Sequence, residues 1–256
     1  MAHPSLPKRP MLGPLPVLRS PIGLAHAVTA LLAFLIVTDV LDLGAAAYMM
    51  SVMGDLASGS AADVGAGAAN QAVAAVSMTT AMYTLGQLGT ATLFIIWLHR
   101  VRRNAEVFAP DVQRRTPGWA IGGWFIPFAN LFIPYGIAKD VLRASQPDPY
   151  ASELRHQGLL NAWWGMWIAS SIFDQFATDQ YDEASNPQAL HDAAGWLMAG
   201  SALDIVSAVL ALLFVRRLTA AQNEKAMAGR QPLQPSVPQN PAAGGPVMGG
   251  SPAPGA

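Results

Sequence analysis

AGWLMAGSALDIVSAVLALLFVRR, residues 194–217, is the stretch on which the fold turns. From Ala194 to Val215 it is almost wholly apolar, and the pair Arg216-Arg217 closes it. A helix rises about 1.5 Å per residue and a bilayer's hydrocarbon core is about 30 Å thick, so a helical run of this length crosses it. The closing arginines fit a cytoplasmic exit, where Lys and Arg accumulate. One carboxylate, Asp204, stands about 10 residues into the run, near the bilayer midplane.

Working outward, three more runs read the same way, at about 22–50, 77–98 and 158–177. No Lys or Arg falls between Arg19 and Arg100, or between Arg155 and Arg216. The chain is only 12% charged, against about 25% in ordinary soluble domains. The first run has a competing reading as a signal peptide, with Ala45-Ala46-Ala47 as a cleavage site. It is too long for an h-region of about 7–15 residues, so an uncleaved span is expected. The second run leads into His99-Arg100-Val101-Arg102-Arg103-Asn104, and helix is expected to continue to about Phe108 before Pro110 and Pro117 stop it. A polar helix is likewise expected to extend the fourth run to about Ala228.

Charge sets the orientation. With the N-terminus, residues 99–157 and the C-terminus in the cytoplasm, all 15 Lys and Arg lie inside. The two outer loops, 51–76 and 178–193, then hold Asp55, Asp63, Asp179, Asp182, Glu183 and Asp192, and no Lys or Arg. The opposite orientation would reverse the positive-inside rule at every base. The expected fold class is an all-α integral membrane protein of the cell membrane, with four transmembrane helices and both ends cytoplasmic. Residues 1–21, Pro-rich and basic, and 229–256, Pro- and Gly-rich, are expected to be disordered tails on a membrane domain at 22–228.

One segment resists this scheme. Residues 118–138, GWAIGGWFIPFANLFIPYGIA, are long enough to span, but Pro127 and Pro134 interrupt them. If the segment crossed, the acidic 178–193 loop would fall inside and Arg216-Arg217 outside. The reading is therefore a broken helix that is interfacial or re-entrant on the cytoplasmic side, with a proline-kinked crossing as the alternative. Irregular backbone at membrane depth needs protein or water to cover it, so packing against the bundle is expected. Asn130 is placed to bond backbone groups freed by the prolines.

The same region carries a family resemblance. Trp97, Arg100 and Asn104 end the second run. Gly118-Trp119, Trp124, Pro127, Asn130 and Pro134-Tyr135 follow, then Trp163-Trp164 and Trp167, and finally Arg216-Arg217 with Gln222. Over roughly residues 75–225 this pattern resembles a bacterial family of membrane proteins known as DUF4328. The resemblance implies a multi-span membrane protein and no established activity, so it assigns no catalytic residue.

Two groups of residues are candidates for function. Trp97, Trp119, Trp124, Trp163 and Trp164 fall near the cytoplasmic boundary, with Trp167 and Tyr135 beside them. Tryptophan favours membrane interfaces, so an aromatic belt is the plain reading. A cage for a lipid headgroup or small cation, closed by the 118–138 segment, is the sharper one. The intramembrane polar residues are Asp204, Gln87 and Asp174, with Asp39 and Asp42 toward the outer end of the first span. No base accompanies them in any span. Asp204 is expected to bond a neighbour such as Gln87 or Thr90, or to be wetted by a cavity. Structural glue and a proton or solute site both fit. Asp174 and Asp204 read as differing in depth by about 10 Å, which argues against a carboxyl dyad.

Other chemistries lack support. There are no cysteines, so disulfides and Cys-ligated metals are excluded. His3, His26, His99, His156 and His191 do not stand at metal-ligand spacing. No hydrolase, zinc-protease or P-loop motif occurs, and no recognition fold for nucleic acid surrounds the bases. No catalytic residue, metal or cofactor is expected. Expected partners are the bilayer, including anionic lipid under Arg100, Arg102, Arg103, Arg114 and Arg115, and a membrane partner protein or a second copy. Two functions follow: a non-enzymatic envelope module that binds lipid or a partner, or a small transporter or channel that uses an intramembrane carboxylate.

Overall fold

A computed structural model describes residues 17–60, 65 and 67–229. The two expected disordered tails fall mostly outside these residues, as does Asp63. Among the described residues there is helix and no strand. The helices are α1 (Ile22–Ala57), α2 (Ala68–Phe108), α3 (Trp119–Gly122), α4 (Ile133–Ser145), α5 (Gln157–Asp182) and α6 (Pro187–Ala228). Single 3-10 turns lie at Pro110–Val112 and Ala129–Leu131.

Three helices, α1, α2 and α6, are long and apolar enough to cross a membrane. With 36, 41 and 42 residues, each exceeds the roughly 20 that a span requires. α5 has 26 residues, but its polar side chains, Asn161, Asp174, Gln175 and Asp179 among them, lower its apolar character.

The helices outrun the apolar runs at the end where α1 meets α2 and α5 meets α6. Residues 51–76 and 178–193, read as outer loops, are mostly helix, and the connections shrink to 58–67 and 183–186. Polarity marks where a chain leaves lipid, not where a helix ends. Ala-rich sequence such as Ala68–Ala75 remains a good helix former once it is in water. Asn186 starts α6 by accepting a hydrogen bond from the Ala189 N–H at 2.9 Å, and Pro187 follows where its missing donor costs nothing. At their other ends α2 stops at Phe108 and α6 at Ala228, as expected.

α1 packs against α2 on one side and α6 on the other, and α5 packs on α6. The backbones of α2 and α5 stay apart, bridged at one end by the Phe94 and Trp163 rings, whose centroids are 5.4 Å apart. The four long helices therefore form an incomplete ring, α2–α1–α6–α5, with a gap between its first and last members. Small residues permit the close contacts. A Cβ on Gly86 would meet the Phe34 ring at 2.8 Å, and one on Gly195 would meet Met50 at 3.2 Å.

The 118–138 segment is broken in the structure. Its pieces are α3, a bend at Gly123–Phe128, the 3-10 turn and the start of α4. Pro127 sits in the bend, while Pro134 stands in the first turn of α4, which it starts rather than breaks. Phe128 has a left-handed φ of +61°, uncommon for a residue with a side chain. Gly123 allows the fold-back: a Cβ there would lie 2.6 Å from Ile133 and 2.8 Å from the Trp119 carbonyl oxygen.

Candidate functional site

Below the gap between α2 and α5 lies a cavity of about 200 Å³. α1 contributes Leu32, Leu35 and Asp39, and α2 contributes Tyr83, Gln87, Thr90 and Phe94. α5 adds Trp163, Trp167, Ser170 and Asp174, α6 adds Asp204, Ser207 and Ala211, and Trp124 reaches in from the bend. One end of the cavity is acidic and the other aromatic. No Lys, Arg or His lines it among the described residues.

The acids come from three helices. Asp204 accepts a hydrogen bond from the Tyr83 hydroxyl at 2.9 Å. Gln87 and Thr90, the expected partners, do not make that bond. Gln87 lines the cavity, and Thr90 donates to the Gly86 carbonyl of its own helix. Asp174 lies against α6 at Gly200, where a Cβ would come within 2.9 Å of its Oδ1. Gly200 is one turn from Asp204, and Asp174 and Asp204 line the same cavity. The expected depth difference of about 10 Å is therefore wrong. It was counted from the ends of the apolar runs, whereas the short 183–186 turn pairs Asp174 with Gly200, about 6 Å along the axis from Asp204.

Asp39 is the member the sequence reading undervalued. Placed toward the outer end of a span that stopped at residue 50, it is in fact near the middle of α1, which continues to Ala57. It is 3% exposed, and its Oδ2 has no hydrogen-bond partner. One turn on, Asp42 is satisfied by Thr79 at 2.5 Å and Ser201 at 2.8 Å. A second cavity of about 120 Å³ shares Asp39, Tyr83, Asp174 and Asp204 and continues past Asp42 and Thr178 to Leu197 and Ser201, toward the α5–α6 turn. Tyr83 was also missed. Its spacing of four from Gln87 places both on one helical face, a signal that could have found it.

The aromatic end corrects the belt reading. Trp97 is fully buried, and Trp163 and Trp164 nearly so; a belt would hold its rings on the lipid-facing surface. Trp163 stacks on Phe214 with centroids 5.0 Å apart. Trp124 meets Phe94 edge-on at 5.9 Å and Trp167 at 6.0 Å, so the bend closes the aromatic end. Trp119 alone of the five is exposed. Trp164 ties the bend down by donating its indole N–H to the Leu131 carbonyl at 3.0 Å, and Tyr135 donates to Asn161 at 2.8 Å. The side chain of Asn130 makes no such bond. The Trp124 N–H is buried and has no partner.

A separate polar network locks the end of the bundle near Arg100. Asn104 donates to the Arg19 carbonyl at 2.8 Å and to Gln222 Oε1 at 3.0 Å. Gln222 donates to the Val101 carbonyl at 2.8 Å, and Trp97 donates to Thr219 at 3.1 Å. Two loop bases are also committed to structure. Arg102 is buried and donates to the Arg115 carbonyl. Arg114 grips Asp140 at 2.8 Å, and that hydrogen bond, with the carboxylate's charge, raises the guanidinium's affinity for its proton. Among the described residues no three of His, Cys, Asp and Glu come together as metal ligands would.

An all-helical chain with helices of membrane-spanning length, and a cavity acidic at one end and aromatic at the other, defines the class of protein. The particular family is the one described as domain of unknown function (DUF4328): it matches residues 60–220, and the chain belongs to it. No curated protein and no solved structure matches the chain. The family match takes in Tyr83, Asp174, Asp204 and the aromatic cup, while Asp39 on α1 lies before it.

Proposed function

We propose that this DUF4328 protein is a four-span, non-enzymatic protein of the cell membrane, with both ends in the cytoplasm, that binds a cation in its bundle cavity and passes it, or a proton, along the acids. α5 is the fourth span. The short 183–186 turn holds it against α6, and at about 39 Å it is long enough to cross. Its lower hydropathy comes from Asp174, which lines the cavity, and from Asn161, Gln175 and Asp179, which are exposed.

The observation that carries the reading is the convergence of Asp39, Asp174 and Asp204, from three helices, on one cavity without a base. Ionisable groups at membrane depth are costly, and they mark ion or proton pathways more often than packing. The second cavity extends the acidic end toward the outer face. A carboxyl dyad acting on peptides is disfavoured, because about 200 Å³ leaves no groove for an extended chain. The test is reconstitution into liposomes with an interior pH dye and an imposed membrane potential. Wild type should acidify the lumen above empty liposomes, and Asp204→Asn should not; flux equal to empty liposomes for wild type would count against transport.

A second reading, a module that organises lipid or a partner protein, is favoured by one observation. Phe125, Ile126, Phe128 and Phe132 are exposed on the broken segment. Such a set suits seating in the inner leaflet, where Arg100, Arg103 and Arg115 add basic charge. Lipid retained in native mass spectrometry without any flux would favour that reading.

A further inference from the structure

We infer that the cavity takes an amphiphilic organic ammonium ion, with its nitrogen at Asp39 and its apolar or aromatic body in the cup formed by Phe94, Trp124, Trp163 and Trp167. This rests on the reading of the cavity as a cation site and names the class of cation. Three features lead to it.

The first is an unmet requirement at the acidic end. Asp39 is 3% exposed, faces the cavity and has a carboxyl oxygen with no partner. A buried acceptor left empty costs about 1–3 kcal/mol, more if charged. Asp42, by contrast, is fully bonded by Thr79 and Ser201. An N–H donor bearing positive charge supplies both things Asp39 lacks. A bare metal ion fits less well, because the acids do not form a common ligand shell. An ammonium can bond one carboxyl at a time.

The second is the opposite end. Four aromatic rings are far more than a small inorganic cation would use. They suit the body of a ligand, since offset and edge-on ring contacts stabilise aromatic guests beyond simple burial. The size agrees. A dry cavity of about 150 Å³ holds a benzene molecule, so about 200 Å³ holds a ring with a short aminoalkyl arm.

The third is access. Between α2 and α5 the cavity wall includes Ala91 and Ser171, both exposed, on the acidic side of the Phe94–Trp163 ring contact, so the cavity borders the membrane interior there. A molecule with an apolar body and one charge partitions into a bilayer and can arrive by that side.

Purified full-length protein in lipid nanodiscs would be titrated with phenethylammonium chloride, ammonium chloride and 2-phenylethanol, read by tryptophan fluorescence and calorimetry. Phenethylammonium should bind saturably and at least tenfold more tightly than either control. Asp39→Asn, nearly isosteric, should lose that tenfold, and Trp167→Leu should weaken phenethylammonium several-fold, with both variants eluting as wild type on gel filtration. If ammonium binds as well as phenethylammonium, the organic-cation assignment is overturned while the cation site stands. If all three bind alike and Asp39→Asn changes nothing, or none binds, both are overturned. Should Asp39→Asn elute as aggregate, the Trp167→Leu titration decides: unchanged phenethylammonium affinity there refutes the inference.

Discussion

Gln222→Leu isolates the polar lock that joins α2, α6 and the chain before α1. Gln222 is 1% exposed and Asn104 3%. Leucine is close in volume, so the change removes hydrogen bonds with little loss of packing. Three bonds disappear, from Asn104 Nδ2 at 3.0 Å, to the Val101 carbonyl at 2.8 Å and to the Ser145 hydroxyl at 3.3 Å. The Val101 carbonyl keeps its place in the helical ladder of α2, and Asn104 keeps the Arg19 carbonyl. One buried donor of Asn104 is left without a partner, a cost of about 1–3 kcal/mol. At about 2–4 °C per kcal/mol for a chain of this size, the melting midpoint should fall by several degrees. Nanodisc-embedded protein would be melted with tryptophan fluorescence as the readout, for Gln222→Leu, Asn104→Leu and the pair. The double variant should be less destabilised than the sum, by about 0.5–2 kcal/mol, as expected for residues in direct contact. Strict additivity, or a Gln222→Leu midpoint equal to wild type, would refute the lock.

Two further outcomes follow from the bend and the topology. Gly123→Ala drives a methyl against the Trp119 carbonyl and Ile133, so backbone hydrogen exchange should rise across 118–132 and stay unchanged in 194–215; equal exchange in both regions, relative to wild type, would show that the fold-back does not need a glycine. Because the chain has no cysteine, single cysteines report topology without background: Ser185→Cys should react with an impermeant maleimide on intact spheroplasts and Ala221→Cys only after lysis, and labelling of Ser185→Cys from the cytoplasmic side alone would overturn the four-span reading.

Much of the architecture was legible because bilayer physics leaves strong marks on sequence. Pro110, after the helix that ends at Phe108, places that helix end within two residues, while α6 runs on past Arg216-Arg217 to Ala228. The site was legible only in part. Asp204, Gln87, Asp174, Trp124, Trp163 and Trp167 line one cavity, while Trp97, Trp119 and Trp164 do not. The lengths of the apolar runs do not reveal the short 183–186 turn, which sets Asp174 against Gly200, one turn from Asp204. Which face a tryptophan presents is likewise invisible in composition: lipid-facing and core-facing rings are both apolar, and only the packing of Phe94 and Phe214 buries Trp97 and Trp163. The tie that holds the bend down comes from Trp164, 33 residues after the Leu131 carbonyl it bonds, a distance over which the sequence gives no signal.

An acid-lined, cation-preferring cavity at membrane depth should reveal itself in the reactivity of thiols placed in its wall. Ser207 lines the cavity at 6% exposure, beside Asp204, whereas the neighbouring Val206 is 44% exposed on the outside of the bundle. Ser207→Cys and Val206→Cys would be treated, in nanodiscs, with aminoethyl methanethiosulfonate, a cation, and sulfonatoethyl methanethiosulfonate, an anion of similar size. The account predicts that Ser207→Cys reacts, at least tenfold faster with the cation, and that phenethylammonium slows it, while Val206→Cys in lipid stays nearly inert to both. Equal rates for the two reagents at Ser207→Cys, or a Ser207→Cys as unreactive as Val206→Cys, would contradict it.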